Sequence, residues 1–126
     1  MSGVVVKPPV FRHGQFRKGI ELSHTHMMLR ADQDGRVYDL AIDNVFATGF
    51  DARRALVPAV LNAIRVNERL EMCGQLYSRG LGMHWMHTNC GRRPTPSKPN
   101  GWLRVIGADR AQGQNIEGNT AYCALF

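Results

Sequence analysis

The sequence has no apolar run approaching the roughly 20 residues that a membrane-spanning helix needs. Its opening, MSGVVVKPPVFRHG, lacks the long apolar core and small-residue cleavage site of a secretory signal. Both absences lead us to expect a soluble, cytoplasmic chain. Cysteine is scarce and odd in number: Cys73, Cys90 and Cys123. An odd count speaks against a disulfide framework, and three buried reduced thiols are expected, with one pair and a spare thiol as the alternative. No phosphate loop, dinucleotide fingerprint or nucleophile elbow occurs, and Ser23 and Ser78 stand in no such context. Internal repeats and low-complexity tracts are also missing, which sets aside solenoids and disordered arrays.

What is present fits one small domain. The 126 residues suffice for a core without staples. Thirteen glycines and six prolines imply many turns and favour β-structure over a helical bundle. Sixteen Lys and Arg against ten Asp and Glu give a net charge of +6, which suits a polyanionic partner such as nucleic acid or anionic lipid.

Residues 1–19 carry Lys7, Arg12, His13, Arg17 and Lys18 around Pro8-Pro9 and read as a basic arm or first strand. Residues 20–126 then form a single β-barrel domain. The clearest hairpin runs from Gly19 to Phe46, with Asp34-Gly35 as the positive-φ turn signal. Tyr38, Leu40 and Ile42 share one face of its second strand, and Asp39, Ala41 and Asp43 share the other. On its first strand Ile20, Leu22, His24, His26 and Met28 fall together. DARRALVPAVLNAI is the helix candidate, near 52–64; Pro58 implies a kink or a start at that proline. RLEMCGQLYSRGLGMHWMH reads as a second hairpin turning at Gly80–Gly82, with Gly74 at a bulge or sharp bend. WLRVIG and TAYCALF read as late strands, separated by the polar loop ADRAQGQNIEGN. The sum is a mainly β (α+β) fold: a small OB-like β-barrel of five to six antiparallel strands with one helix. A half-open antiparallel sheet packed on one helix is the rival.

Two groups of residues carry chemistry. Arg92, Arg93, Lys98 and Arg104, with Trp85 and Trp102 among them, combine cations and aromatics as single-strand binding requires. The same tryptophans in a core, beside a solvated loop, would make an equally ordinary protein. GMHWMHTNCG supplies His84, His87 and Cys90, and HTH supplies His24 and His26. In an unbroken strand His84 and His87 point to opposite faces, so joint use needs a turn or bulge. Zinc or another divalent metal would want nitrogen and sulfur donors from this set. His24 and His26 point the same way and would suit shared ligation or phosphate contact. Asp39 and Asp43 lie where they could join them as carboxylates.

The stretch MHWMHTNCGRRPTPSKPNGWL resembles the signature of a bacterial family known as domain of unknown function 3465. His84, Trp85, His87, Gly101 and Trp102 match its H-W-x-H…G-W pattern, and Gly82 matches the glycine that precedes it in the signature. HTHMMLRADQDGRVYDLAIDN is similar to its hairpin, with His24 at the first position, and CGQLY to its G-E-Y strand. The likeness spans about residues 20–107. Thr88-Asn89-Cys90 replaces the family's H-D-P, and Lys98 replaces its loop histidine. The resemblance implies an OB-like barrel and brings no function.

We therefore expect a small basic binding module without a cofactor, engaging single-stranded nucleic acid or another anionic ligand. The alternatives are a metal-binding protein or metal-dependent hydrolase using the histidine cluster, and a protein-interaction domain without chemistry.

Overall fold

A computed structural model describes residues 1–107 and 114–126. Residues 108–113, part of the polar loop expected before the last strand, lie outside the described residues. The chain forms β1 (Ser2–Arg12), β2 (Phe16–Arg17), β3 (Ile20–Glu21), β4 (His24–Ala31) and β5 (Val37–Asp43). After α1 (Ala59–Asn62) come β6 (Arg69–Cys73), β7 (Gln75–Leu76), β8 (Gly82–His84) and β9 (Trp102–Ile106).

The hairpin of β4 and β5 forms as expected. Its strands pair antiparallel from His24–Asp43 to Arg30–Val37, and Gly35 takes a φ of 71° at the turn. Asp34 reinforces that turn by accepting the Arg36 amide at 2.9 Å. Alternation dictates the packing. Thr25, Met27, Leu29 and Ala31 are buried, whereas His24, His26 and Met28 are half-buried on the opposite face. Leu40 and Ile42 join the buried side. Ile20 and Leu22 lie outside this strand, so the histidines do not share a face flanked by them.

Residues 2–12 form a central strand, with β4 on one side and β6 on the other. Its register shifts between Val5 and Val10, across Pro8-Pro9, where two residues have no N–H to give to a ladder.

Seven strands run in the order β7-β8-β5-β4-β1-β6-β9, and the sheet curls into a half-barrel. The closed antiparallel barrel of five to six strands expected from the sequence is corrected on two counts. β8 lies parallel to β5, because the chain reaches it through a long crossover and not a hairpin. The edge strands β7 and β9 do not pair with each other. Gly74 is the corner that carries the chain from β6, near one edge, to β7 at the other. A Cβ there would stand 2.5 Å from the His84 carbonyl oxygen.

The helix expected over 52–64 shrinks to Ala59–Asn62. Pro58 begins it and accepts the Asn62 amide at 2.8 Å. Proline also disfavours helical backbone at the residue before it, so the helix does not extend back through Val57. Asp51 accepts the Arg53 amide in a local turn instead. Leu61 and Ile64 bury against the sheet with Val5, Leu29, Leu70 and Leu103. TAYCALF is not a strand; Cys123–Leu125 make one 3-10 turn.

Candidate functional site

The face of the sheet opposite the core carries the polar side chains. His24 faces Asp43 across β4–β5, with Nε2 2.7 Å from Oδ1. His26 reaches diagonally to Asp39, with Nδ1 2.9 Å from Oδ1 and 3.0 Å from Oδ2. The two imidazole ring centres are 6.3 Å apart. The Tyr77 hydroxyl donates to Asp39 Oδ2 at 2.7 Å. Gly82 makes that reach possible, because a Cβ there would lie 2.0 Å from the Tyr77 ring. Burial and the hydrogen bond to Asp39 both raise the Tyr77 hydroxyl above its ordinary pKa.

His84 and His87 part company, not by alternation within a strand but because the strand ends at His84 and the chain breaks at Trp85, one residue earlier than Met86. Trp85 adopts a φ of 59°, a left-handed turn for a non-glycine residue. His84 stays exposed, edge-on to Tyr77. His87 turns inward and is only 2% exposed. Its ring stacks on Phe46 at 3.9 Å and 11°. Nδ1 donates to the Thr88 carbonyl at 2.7 Å. Nε2 lies 2.9 Å from Asp43 Oδ2, close enough to pair yet out of line for a well-formed hydrogen bond.

Asp43 thus sits between two imidazoles. Burial works to raise its pKa, but the hydrogen bond from His24 and the close approach of His87 outweigh it and hold the carboxyl well below the usual range. His24 is raised by its hydrogen bond to Asp43, against the opposing effect of burial. Near Asp43 lies Glu117, fully buried, with neither carboxyl oxygen hydrogen-bonded among the described residues. Desolvation, aided by the Asp43 charge, pushes it well above the ordinary carboxyl value.

Beyond His87 a cleft of about 130 Å³ opens. Phe46 and His87 floor it, Trp85 walls it, and Arg92, Arg93 and Lys98 of the proline-rich loop line its rim. The loop is tied down at several points. Trp85 Nε1 donates to the Pro99 carbonyl at 2.7 Å, and Asn89 Nδ2 to the Arg92 carbonyl at 2.7 Å. Cys90 is joined to Cys123 in a disulfide. A Cβ on Gly101 would be 2.3 Å from the Trp85 carbonyl oxygen, so glycine permits this close approach.

Of the residues read as anion-binding, Arg92, Arg93, Lys98 and Trp85 converge on that cleft. Arg104 and Trp102 do not. They stack on each other on edge strand β9, with the guanidinium carbon 4.0 Å from the ring centroid. Of the residues read as metal ligands, His24 and His87 meet on Asp43, His26 bonds Asp39 and His84 stands apart. The expectation of three reduced thiols is corrected: only Cys73 is free. Cys90 is removed as a metal ligand for the same reason, since an oxidised sulfur is no thiolate donor. Among the described residues no group of three His, Cys, Asp or Glu is arranged to hold a metal ion.

Sequence reasoning missed Phe46, Tyr77 and Glu117. Phe46 lies in a single 3-10 turn, and Tyr77 and Glu117 lie outside the strands, so only the β5 aspartates had a periodicity that pointed to them. No protein-family model, curated protein or solved structure matches the chain.

Proposed function

We propose that this protein is a small basic binding module whose cleft takes an anionic ligand, with single-stranded nucleic acid the favoured class. One observation carries the assignment: three cations, Arg92, Arg93 and Lys98, rim an aromatic-walled cleft with a stacked Phe46–His87 floor. Cations attract phosphate, and apolar aromatic walls accept a base face, the two features that single strands exploit. The net charge of +6 adds long-range attraction. We place the chain beside the family known as domain of unknown function 3465 on His24, His84, Trp85, His87, Gly101 and Trp102, a likeness that brings no activity with it. The Cys90–Cys123 bridge favours an oxidising compartment over the cytoplasm.

The test is fluorescence anisotropy with labelled single-stranded oligonucleotides across a salt series. Binding should be strongest at low salt, and log affinity should fall with a slope of about −0.7 per phosphate contacted. Arg92→Ala, Arg93→Ala and Lys98→Ala together should weaken binding at least tenfold and flatten the slope. Arg104→Ala, remote from the cleft, should change neither. Absence of binding at low salt would overturn the assignment.

A further inference from the structure

We propose that His24 and His26 form an acid–base pair that cleaves single-stranded RNA by internal transesterification. The proposal rests on the nucleic-acid class assigned to the cleft, and it adds a reaction at a different set of atoms.

Both imidazoles project from β4 on the face away from the core, with ring centres 6.3 Å apart. Each has one nitrogen held by its own carboxylate: His24 Nε2 by Asp43 at 2.7 Å, His26 Nδ1 by Asp39 at 2.9 Å. A carboxylate on one nitrogen fixes the tautomer and ring orientation and leaves the other nitrogen to exchange protons. No protein partner is found for His24 Nδ1 or His26 Nε2 among the described residues, and the side chains are 36% and 30% exposed. Two such nitrogens on neighbouring rings suit the two proton transfers of a phosphodiester exchange, each within hydrogen-bond reach of roughly 2.6–3.2 Å.

Arg12 is the cross-strand partner of His24 on β1, so an arginine stands on the same face of the sheet as the pair and can reach phosphate charge there. Asp43 links the same His24 to His87 on the cleft floor, although neither His24 nor His26 lines the cleft itself. RNA is the substrate class because its ribose 2′-hydroxyl is the nucleophile, and no protein nucleophile is then needed.

The step balances without a co-reactant. His26 takes the 2′-hydroxyl proton as O2′ bonds to phosphorus. The P–O5′ bond breaks, and the leaving O5′ takes its electron pair together with a proton from the His24 imidazolium. The products are a 2′,3′-cyclic phosphate and a 5′-hydroxyl end. His24 is given the acid role because its bond to Asp43 favours the protonated ring.

The experiment uses the full chain and a labelled single-stranded RNA, with an all-DNA oligonucleotide of the same sequence as a binding control. Product ends are read by mass spectrometry. The expected result is cleavage of RNA to a cyclic phosphate and a 5′-hydroxyl, with DNA bound and uncut. His24→Ala and His26→Ala should each lower the rate at least 100-fold, within the range for loss of one acid or base. Both should keep the wild-type DNA affinity. Where an alanine variant does not fold, His24→Gln and His26→Asn take its place. Bound DNA with intact RNA overturns the proposal and leaves the cleft assignment standing. Cleavage that survives both substitutions, or that yields 5′-phosphate ends, overturns it as well. Cleavage without DNA binding upholds the pair and removes the cleft assignment.

Discussion

Asp39 and Asp43 stand four residues apart on one face of β5, and each is bonded to a histidine of β4. Their residue types and partners match, but their surroundings do not. Asp39 receives the Tyr77 hydroxyl near the exposed His84. Asp43 is bracketed by His24 and the buried His87 and lies close to the wholly buried Glu117. The carboxyls of Asp43 and Glu117 then diverge. Burial penalises the charge on both, but only Asp43 has donors that outweigh it. One is shifted toward the ionised form and the other toward the neutral form, so the donors each carboxyl receives set the direction of its shift.

Removing the Cys90–Cys123 bridge should do the most damage and should strike one side only. A loop of 33 residues is about 3–4 kcal/mol by chain entropy, so Cys90→Ser with Cys123→Ser should lower guanidinium stability by that much. Histidine NMR should show His87 and His24 perturbed and His26 unchanged; an equal response from all three would erase the distinction. Asp43→Ala should come next, losing roughly 3 kcal/mol because it strands two imidazoles, one of them buried. Asp39→Ala should lose about 1 kcal/mol or less in the same assay. Glu117→Met should stabilise the protein by about 1–3 kcal/mol, since it replaces a buried carboxyl without hydrogen bonds among the described residues.

The smallest effect lies in the pH dependence. A carboxyl raised on folding, as Glu117 is, contributes fully below its unfolded value of about 4.3 and costs stability as pH rises toward its folded value. His24, also raised, contributes below about 6.5 and loses that contribution as pH climbs through its folded value. Asp43 runs the other way: its contribution is present above about 3.9 and fades in acid. Melting temperatures from pH 5 to 8 should therefore decline toward the alkaline end. Glu117→Gln should flatten that decline in part, and His24→Gln should remove most of the remainder. A decline untouched by Glu117→Gln would show that Glu117 ionises freely in the folded protein.

Much of the sheet was legible because alternation is local. The β4–β5 hairpin, its Asp34-Gly35 turn, the bend at Gly74 and the strand at Trp102–Ile106 all follow from period and turn chemistry. The burial of His87 was not legible in this way, because the strand ends at His84 and the left-handed turn at Trp85 redirects the chain. The parallel β8, the unclosed edges and the one-turn helix were not, because they depend on where a strand docks after a long connection. Residues 120–126 misled because apolar letters in a row do not distinguish a strand from a turn that is pinned by a disulfide.

By itself the sequence determined a basic, β-rich chain, that His24 and His26 share one side of their strand, and that both aspartates share one side of theirs. Those properties need only composition and a period of two. The tertiary structure alone decided that Asp43 joins His24 to His87, that Cys90 meets Cys123 and that Glu117 is buried near Asp43. Each of these brings together groups at least 19 residues apart, and no local pattern encodes which distant segment will pack on which.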